Sequence, residues 1–157
     1  MGFALSNMTL SSPAFRDGEA IPRKFTRDGE DISPALYWKD VPEGTKSFAL
    51  ICHDPDAPLI AHGDYGFAHW VLYNIPGSAT RLDEASDDYT AGVNNFDDEA
   101  YGGPEPPQGH GVHRYYFWLF ALDDDTHRDF GLTLRELLES IEPHVIGMNR
   151  LVGTFER

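Results

Sequence analysis

A chain of 157 residues with 41% hydrophobic content is long enough to bury one core without disulfide or metal staples, and it reads as a single domain over 1–157. Twelve Lys and Arg stand against 26 Asp and Glu, for a formal charge of −14, which argues against nucleic acid as a partner because phosphate backbones require clustered cations. No apolar run approaches the roughly 20 residues that span a bilayer, and Cys52 is the only cysteine, which excludes an internal disulfide framework and any multi-cysteine zinc site.

In chain order, the opening MGFALSNMTLSSPAF has neither a basic region nor a long apolar core, so no secretory leader is expected. With the reduced thiol, this points to the cytoplasm. Short strands are expected around Met8–Leu10 and Leu36–Trp38. Three runs rich in aromatic and branched residues read as buried strands: Ser47–Cys52, Phe67–Ile75 and Tyr115–Leu122. Thr133 and Glu136 have capping-box spacing, and Leu134, Leu137, Leu138 and Ile141 fall on one face of the helix that follows. Pro143 ends or restarts it, and a last strand is expected at Leu151–Phe155. The fold class is mainly β, an antiparallel, sandwich-like domain with a few peripheral helices. The three lysines (Lys24, Lys39, Lys46) and the acidic runs at Asp87-Asp88, Asp97-Asp98-Glu99 and Asp123-Asp124-Asp125 describe solvated loops, or a surface suited to high salt.

Chemistry concentrates in three segments. HDPDAP, His53 to Pro58, follows the SFALIC strand. Its Asp54 and Asp56 suit acid/base work, metal ligation or the orienting of a histidine, and the same pattern also makes an ordinary turn. His69 interrupts an apolar strand. The stretch GPEPPQGHGVHRYYF, Gly103 to Phe117, stiffens and loosens the backbone in turn and supplies His110 and His113 before a strand begins. If neighbouring strands bring Asp54, His69 and His113 to one sheet end, the carboxylate can fix a ring tautomer and leave the other nitrogen for a ligand. These Asp and His residues are also ligand types for zinc or iron, but His110 and His113 on a glycine-rich loop match no established metal spacing. No G-x-S-x-G elbow, P-loop or dinucleotide fingerprint is present, and Cys52 sits within an apolar strand where it packs.

Together these segments resemble the phosphatidylethanolamine-binding protein family, also called Raf kinase inhibitor-like proteins. The resemblance runs from about Pro13 to Phe155, through FRDGEAIPRKFTRDGEDISPALYW, VPEGTKSFALICHDPDAP, FAHWVLYNIP and YGGPEPPQGHGVHRYYFWLFAL. DPDAP, a strand histidine and G-x-H-R-Y (Gly111 to Tyr115) carry it, and the ending is similar to the bacterial and archaeal branch. The resemblance implies an antiparallel β fold with a small pocket at one end that holds phosphate-like groups, phosphorylethanolamine headgroups among them. It assigns Asp54, Asp56, His69, His113 and Tyr115 to that pocket, with Pro106, Pro107 and Gly109 as its stiff rim. Arg114 is expected in a structural ion pair. Glu105 departs from the family pattern, where a small uncharged residue is usual, and sets a carboxylate near the mouth. His110 stands as a second candidate beside it.

The implied function is a small-molecule or anion-binding module without cofactor or bound metal. The alternatives are a hydrolase or metal-dependent enzyme using the same residues, or an inhibitor of a kinase or protease partner. A homodimer is expected from the prokaryotic branch. With His69 and His113 both donating, anion affinity is expected to rise as pH falls from 8 to 6, Asp54 and the anion together outweighing burial.

Overall fold

The computed structural model describes residues 2–57 and 65–157. Eight strands form two antiparallel sheets. β1 (Thr9–Ser11), β2 (Leu36–Lys39) and β5 (Arg81–Leu82) make a three-stranded sheet in the order β1-β2-β5. β3 (Ser47–Asp54), β4 (Phe67–Pro76), β6 (Thr90–Ala91), β7 (His113–Leu122) and β8 (Val145–Phe155) make a five-stranded sheet in the order β6-β4-β3-β7-β8. One α-helix, α1 (Leu134–Ile141), and 3-10 turns at Arg23–Phe25 and Glu142–His144 complete the regular structure among the described residues. No helix among them is long and apolar enough to cross a membrane.

The larger sheet is buried on both faces, which is why SFALIC shows no polar alternation. Phe48, Leu50 and Cys52 of β3 pack with Trp70, Phe117, Leu119 and Leu151 against the small sheet's Leu10, Leu36 and Trp38. Ala49 and Ile51 face the other way, with Val71, Tyr73 and Phe120, under Leu137 and Ile141 of α1. Each buried large apolar side chain contributes about 1.5–3 kcal/mol. The helix begins as its sequence prescribes: Glu136 N donates to Thr133 Oγ1 (3.2 Å) and Thr133 N to Glu136 Oε1 (3.0 Å). Pro143 restarts the chain as a 3-10 turn.

β8 is longer than the expected Leu151–Phe155, starting at Val145. Gly147 disguises this first half: a Cβ there would lie 2.7 Å from Pro42 Cγ, so close approach of the chain demands glycine inside a strand. β5 and β6, two residues each, carry no periodicity to read.

The β3–β4 ladder holds the feature that builds the site. Cys52 pairs with Trp70, yet His53 pairs with Ala68, so His69 is an extra residue on β4. A bulge re-aims a side chain and bends its strand. Ala68 accordingly packs on the helix side while Trp70 packs on the small-sheet side.

Candidate functional site

Asp54 ends β3, His69 is the bulged residue of β4, and His113 and Tyr115 open β7. All four are at least 96% buried, with relative exposures of 2%, 4%, 2% and 0%. They line a cavity of about 200 Å³ with Ala57, Phe67, Phe96, Glu105, Pro106 and Pro107. The two prolines form one wall. Its anchor is Gly103, whose N–H donates to Asp31 Oδ1 (2.7 Å) and whose missing Cβ leaves room for the Phe25 carbonyl, 2.4 Å from where that atom would stand.

A hydrogen-bonded chain crosses the site. Asp54 Oδ1 accepts the Asp56 N–H (2.8 Å), Asp54 Oδ2 takes His113 Nδ1–H (2.6 Å), and His113 Nε2 lies 2.7 Å from His110 Nδ1. The carboxylate thereby fixes the His113 ring and leaves Nε2 as its working nitrogen. His110 is exposed, between Gly109 (φ 76°) and Gly111 (φ 88°), and it is bonded to the nitrogen a ligand would use. Neither Gly109 nor His110 lines the cavity.

Asp56 faces away from it. Arg114 grips it with two side-chain bonds (Nε–Oδ2 3.0 Å, Nη2–Oδ1 2.8 Å) and one from its backbone N–H (2.8 Å), and these hold the Asp56 carboxyl below its usual range. Arg114 is in the expected ion pair, and Asp56 is its saturated partner. Pro58 lies outside the described residues.

Burial pulls the pKa of the His69 imidazole down to about 4, against the raising pull of the Gly102 and Gly103 carbonyls and Asp54. Desolvation therefore outweighs the aspartate in the ligand-free protein, where the bound anion that the expected balance also counted makes no contribution. The ring is neutral at pH 6–8, with Nδ1 donating to the Gly102 carbonyl (2.7 Å). Tyr115 meets His69 edge-to-face, ring centroids 5.2 Å apart. Its hydroxyl is sealed from solvent with no hydrogen-bond partner among the described residues, and burial pushes its pKa well up, so it keeps its proton.

The metal-ligand types considered from the sequence do not converge, because Asp54 and His110 bond opposite nitrogens of His113. Among the described residues, the His/Asp group whose ligand atoms all lie within 4.8 Å of one another is Asp123, Asp124 and His144, beyond the other end of β7. There Arg128 Nη2, 2.9 Å from Asp124 Oδ2, already supplies positive charge.

The sequence profile described as Phosphatidylethanolamine-binding protein matches residues 11–156. The chain belongs to the phosphatidylethanolamine-binding protein family. UPF0098 proteins from Methanothermobacter thermautotrophicus and Aquifex aeolicus are 42% and 40% identical to it over 157 residues. Those alignments cover 96% of this chain and 99% and 89% of the relatives. The crystal structure of a phosphatidylethanolamine-binding protein homologue from Chlamydia trachomatis superposes with a TM-score of 0.88 at 38% identity, covering 96% of this chain and 97% of that one. Escherichia coli YbcL, described as a new member of the mammalian PEBP family, gives 0.84 at 27% identity, covering 97% and 99%.

Within this family member, two features escape a sequence reading, and a third was open to it. Phe96 comes from a loop with no periodic signal, yet forms part of the cavity. Arg27 lies with its guanidinium 4.2 Å from the Phe96 ring and its Nε 3.9 Å from Glu105 Oε2, so the carboxylate at the mouth is partly neutralised. Phe67, directly before the AHW triplet, had a signal in the quoted motif and packs 4.8 Å from His69. A larger hollow of about 630 Å³, lined by Phe3, His53, Tyr65 and Leu138 among others, holds no buried unpartnered polar atom among the described residues.

Proposed function

We propose that this protein is a binding module for a small phosphoryl-type oxyanion held in the Asp54–His69–His113–Tyr115 cavity, acting as one domain in the cytoplasm. One observation carries the reading. The Tyr115 side chain lines the cavity, and its hydroxyl is a buried, protonated donor with no hydrogen-bond partner among the described residues. An unmatched buried polar group costs about 1–3 kcal/mol, so its retention points to a ligand oxygen as the missing acceptor. His113 Nε2 supplies a second donor when that ring is protonated and His110 has moved aside. Glu105 at the mouth suits the ammonium of a phosphorylethanolamine-like zwitterion. Among the described residues no Ser, Thr or Cys lines the cavity, and Cys52 is buried with its thiol pushed well up by desolvation, so holding a ligand is favoured over nucleophilic cleavage.

Calorimetric titration with inorganic phosphate tests this. Tyr115→Phe is expected to weaken phosphate binding about tenfold or more, while the free protein becomes as stable as the parent or gains up to about 1 kcal/mol, because the orphaned hydroxyl is gone. Equal phosphate affinity in the variant and the parent would remove the basis of the proposal. His110→Ala has a predicted sign of its own: binding tightens severalfold, since His113 Nε2 no longer has to exchange one partner for another.

The acidic surface carries a separate expectation of adaptation to high salt, and the family resemblance one of a homodimer, whose pairing salt strengthens where acidic patches face each other. The melting temperature should rise between dilute buffer and molar KCl, with sedimentation as a dimer at high salt. A flat melting temperature and a monomer under both conditions would contradict both.

A further inference from the structure

We infer that His69 makes this pocket selective for an oxyanion that carries a proton, such as dihydrogen phosphate or a phosphomonoester monoanion, over a proton-free one such as sulfate. The inference rests on the oxyanion-site reading above and names the ligand class within it.

The argument begins with a tautomer. A peptide carbonyl only accepts hydrogen bonds, so the 2.7 Å contact between His69 Nδ1 and the Gly102 oxygen places the ring proton on Nδ1. In a neutral ring the opposite nitrogen, Nε2, is then a lone pair and an obligate acceptor. No described residue hydrogen-bonds to Nε2, while His69 lines the cavity alongside the unpartnered Tyr115 hydroxyl. Gly102 cannot drift away, because its N–H donates to the His69 carbonyl (2.9 Å) and closes the pair reciprocally. The bulge adds a further constraint by removing His69 from the alternating ladder on either side.

The charged and titratable groups around the ring favour the neutral form. Burial is the largest influence, and it lowers the ring's proton affinity. Asp54 at the end of β3 raises it, and His53 on the same strand lowers it. From β7 come His113, already engaged with Asp54, and the neutral Tyr115. From the proline loop comes Glu105, paired at 3.9 Å with Arg27, while His110 is turned to His113. Asp56 and Arg114 neutralise one another.

The cavity therefore offers a donor at Tyr115, an acceptor at His69 and, once His110 has moved aside and the His113 ring carries a proton on Nε2 as well, a second donor there. Dihydrogen phosphate matches all three, accepting from the two donors and donating its P–O–H to His69 Nε2. Sulfate has no proton to give, so one of its oxygens would face the Nε2 lone pair with water excluded. A site built to pair with a particular hydrogen-bonding group discriminates strongly against an analogue that lacks it.

Titration calorimetry at pH 6 and matched ionic strength, with inorganic phosphate, phosphorylethanolamine and sulfate as probes, tests this. Phosphate or phosphorylethanolamine should bind roughly tenfold or more tightly than sulfate. The ratio of the phosphorylethanolamine and inorganic phosphate affinities separates a headgroup from free phosphate as the preferred source. Phosphate affinity should fall from pH 6 to pH 8 as its second proton leaves, so this measurement on the parent protein stands even where a variant fails to fold. His69→Gln, whose amide also carries N–H donors, should raise sulfate affinity relative to phosphate and bring the ratio toward unity. Sulfate binding as tightly as phosphate at pH 6 overturns the inference and leaves the oxyanion reading standing. Failure of all three probes to bind overturns both.

Discussion

Acidification from pH 7 to pH 4 is expected to remove about 3 kcal/mol of folding stability through His69 alone. The ring has a value of about 4 in the folded protein against 6.5 for the ordinary imidazole, with burial as the leading cause. Between those values the unfolded chain takes up a proton that the folded chain refuses. The contribution is therefore complete above about pH 6.5 and is lost progressively as pH falls toward 4. At 96% burial, solvent does little to screen the effect. Urea unfolding at pH 7, 5.5 and 4.5 on the parent and on His69→Gln measures it. Carboxylate protonation erodes both proteins at the acid end, so the quantity of interest is the difference between their slopes. Parallel slopes would show that the folded protein accepts the proton on His69 without penalty, and the neutral-ring account would fail.

Asp54→Ala should be the most damaging single change at the site, costing about 3–5 kcal/mol of stability and abolishing detectable phosphate binding. The carboxylate is 2% exposed and satisfies two donors at once, His113 Nδ1–H at 2.6 Å and the Asp56 N–H at 2.8 Å. Its removal strands both in a region closed to water and frees the His113 ring to rotate. Asp54→Asn should fall between, because one amide oxygen cannot accept as two carboxylate oxygens do and its NH₂ meets a donor. Chemical denaturation and phosphate titration of the three proteins check the order. A Asp54→Ala variant within about 1 kcal/mol of the parent would mean that water reaches the stranded groups and that the site is not dry.

The protein's local rules and its family were legible in the amino-acid sequence. Strands at SFALIC, FAHWVLYNI and YYFWLFAL follow from dense branched and aromatic residues, the start of α1 from a Thr-Glu capping box, and the family from DPDAP, a strand histidine and G-x-H-R-Y. Each depends on neighbours within a few positions, where spacing along the chain translates directly into geometry. The same stretches also pointed to Asp54, His69, His113, Tyr115 and the two prolines, and the fold gathers all six around one cavity. Everything that determines what those groups can do depends on partners far away in sequence. The register slip that isolates His69 is a property of two strands together, and its tautomer is set by a carbonyl 33 residues on. Asp56 leaves the cavity because Arg114, 58 residues later, satisfies it completely, and His110 enters the chemistry only through its bond to His113. Residue types and spacing establish which protons exist. Only tertiary packing decides, through burial and the donor or acceptor placed opposite each ring nitrogen, where those protons reside.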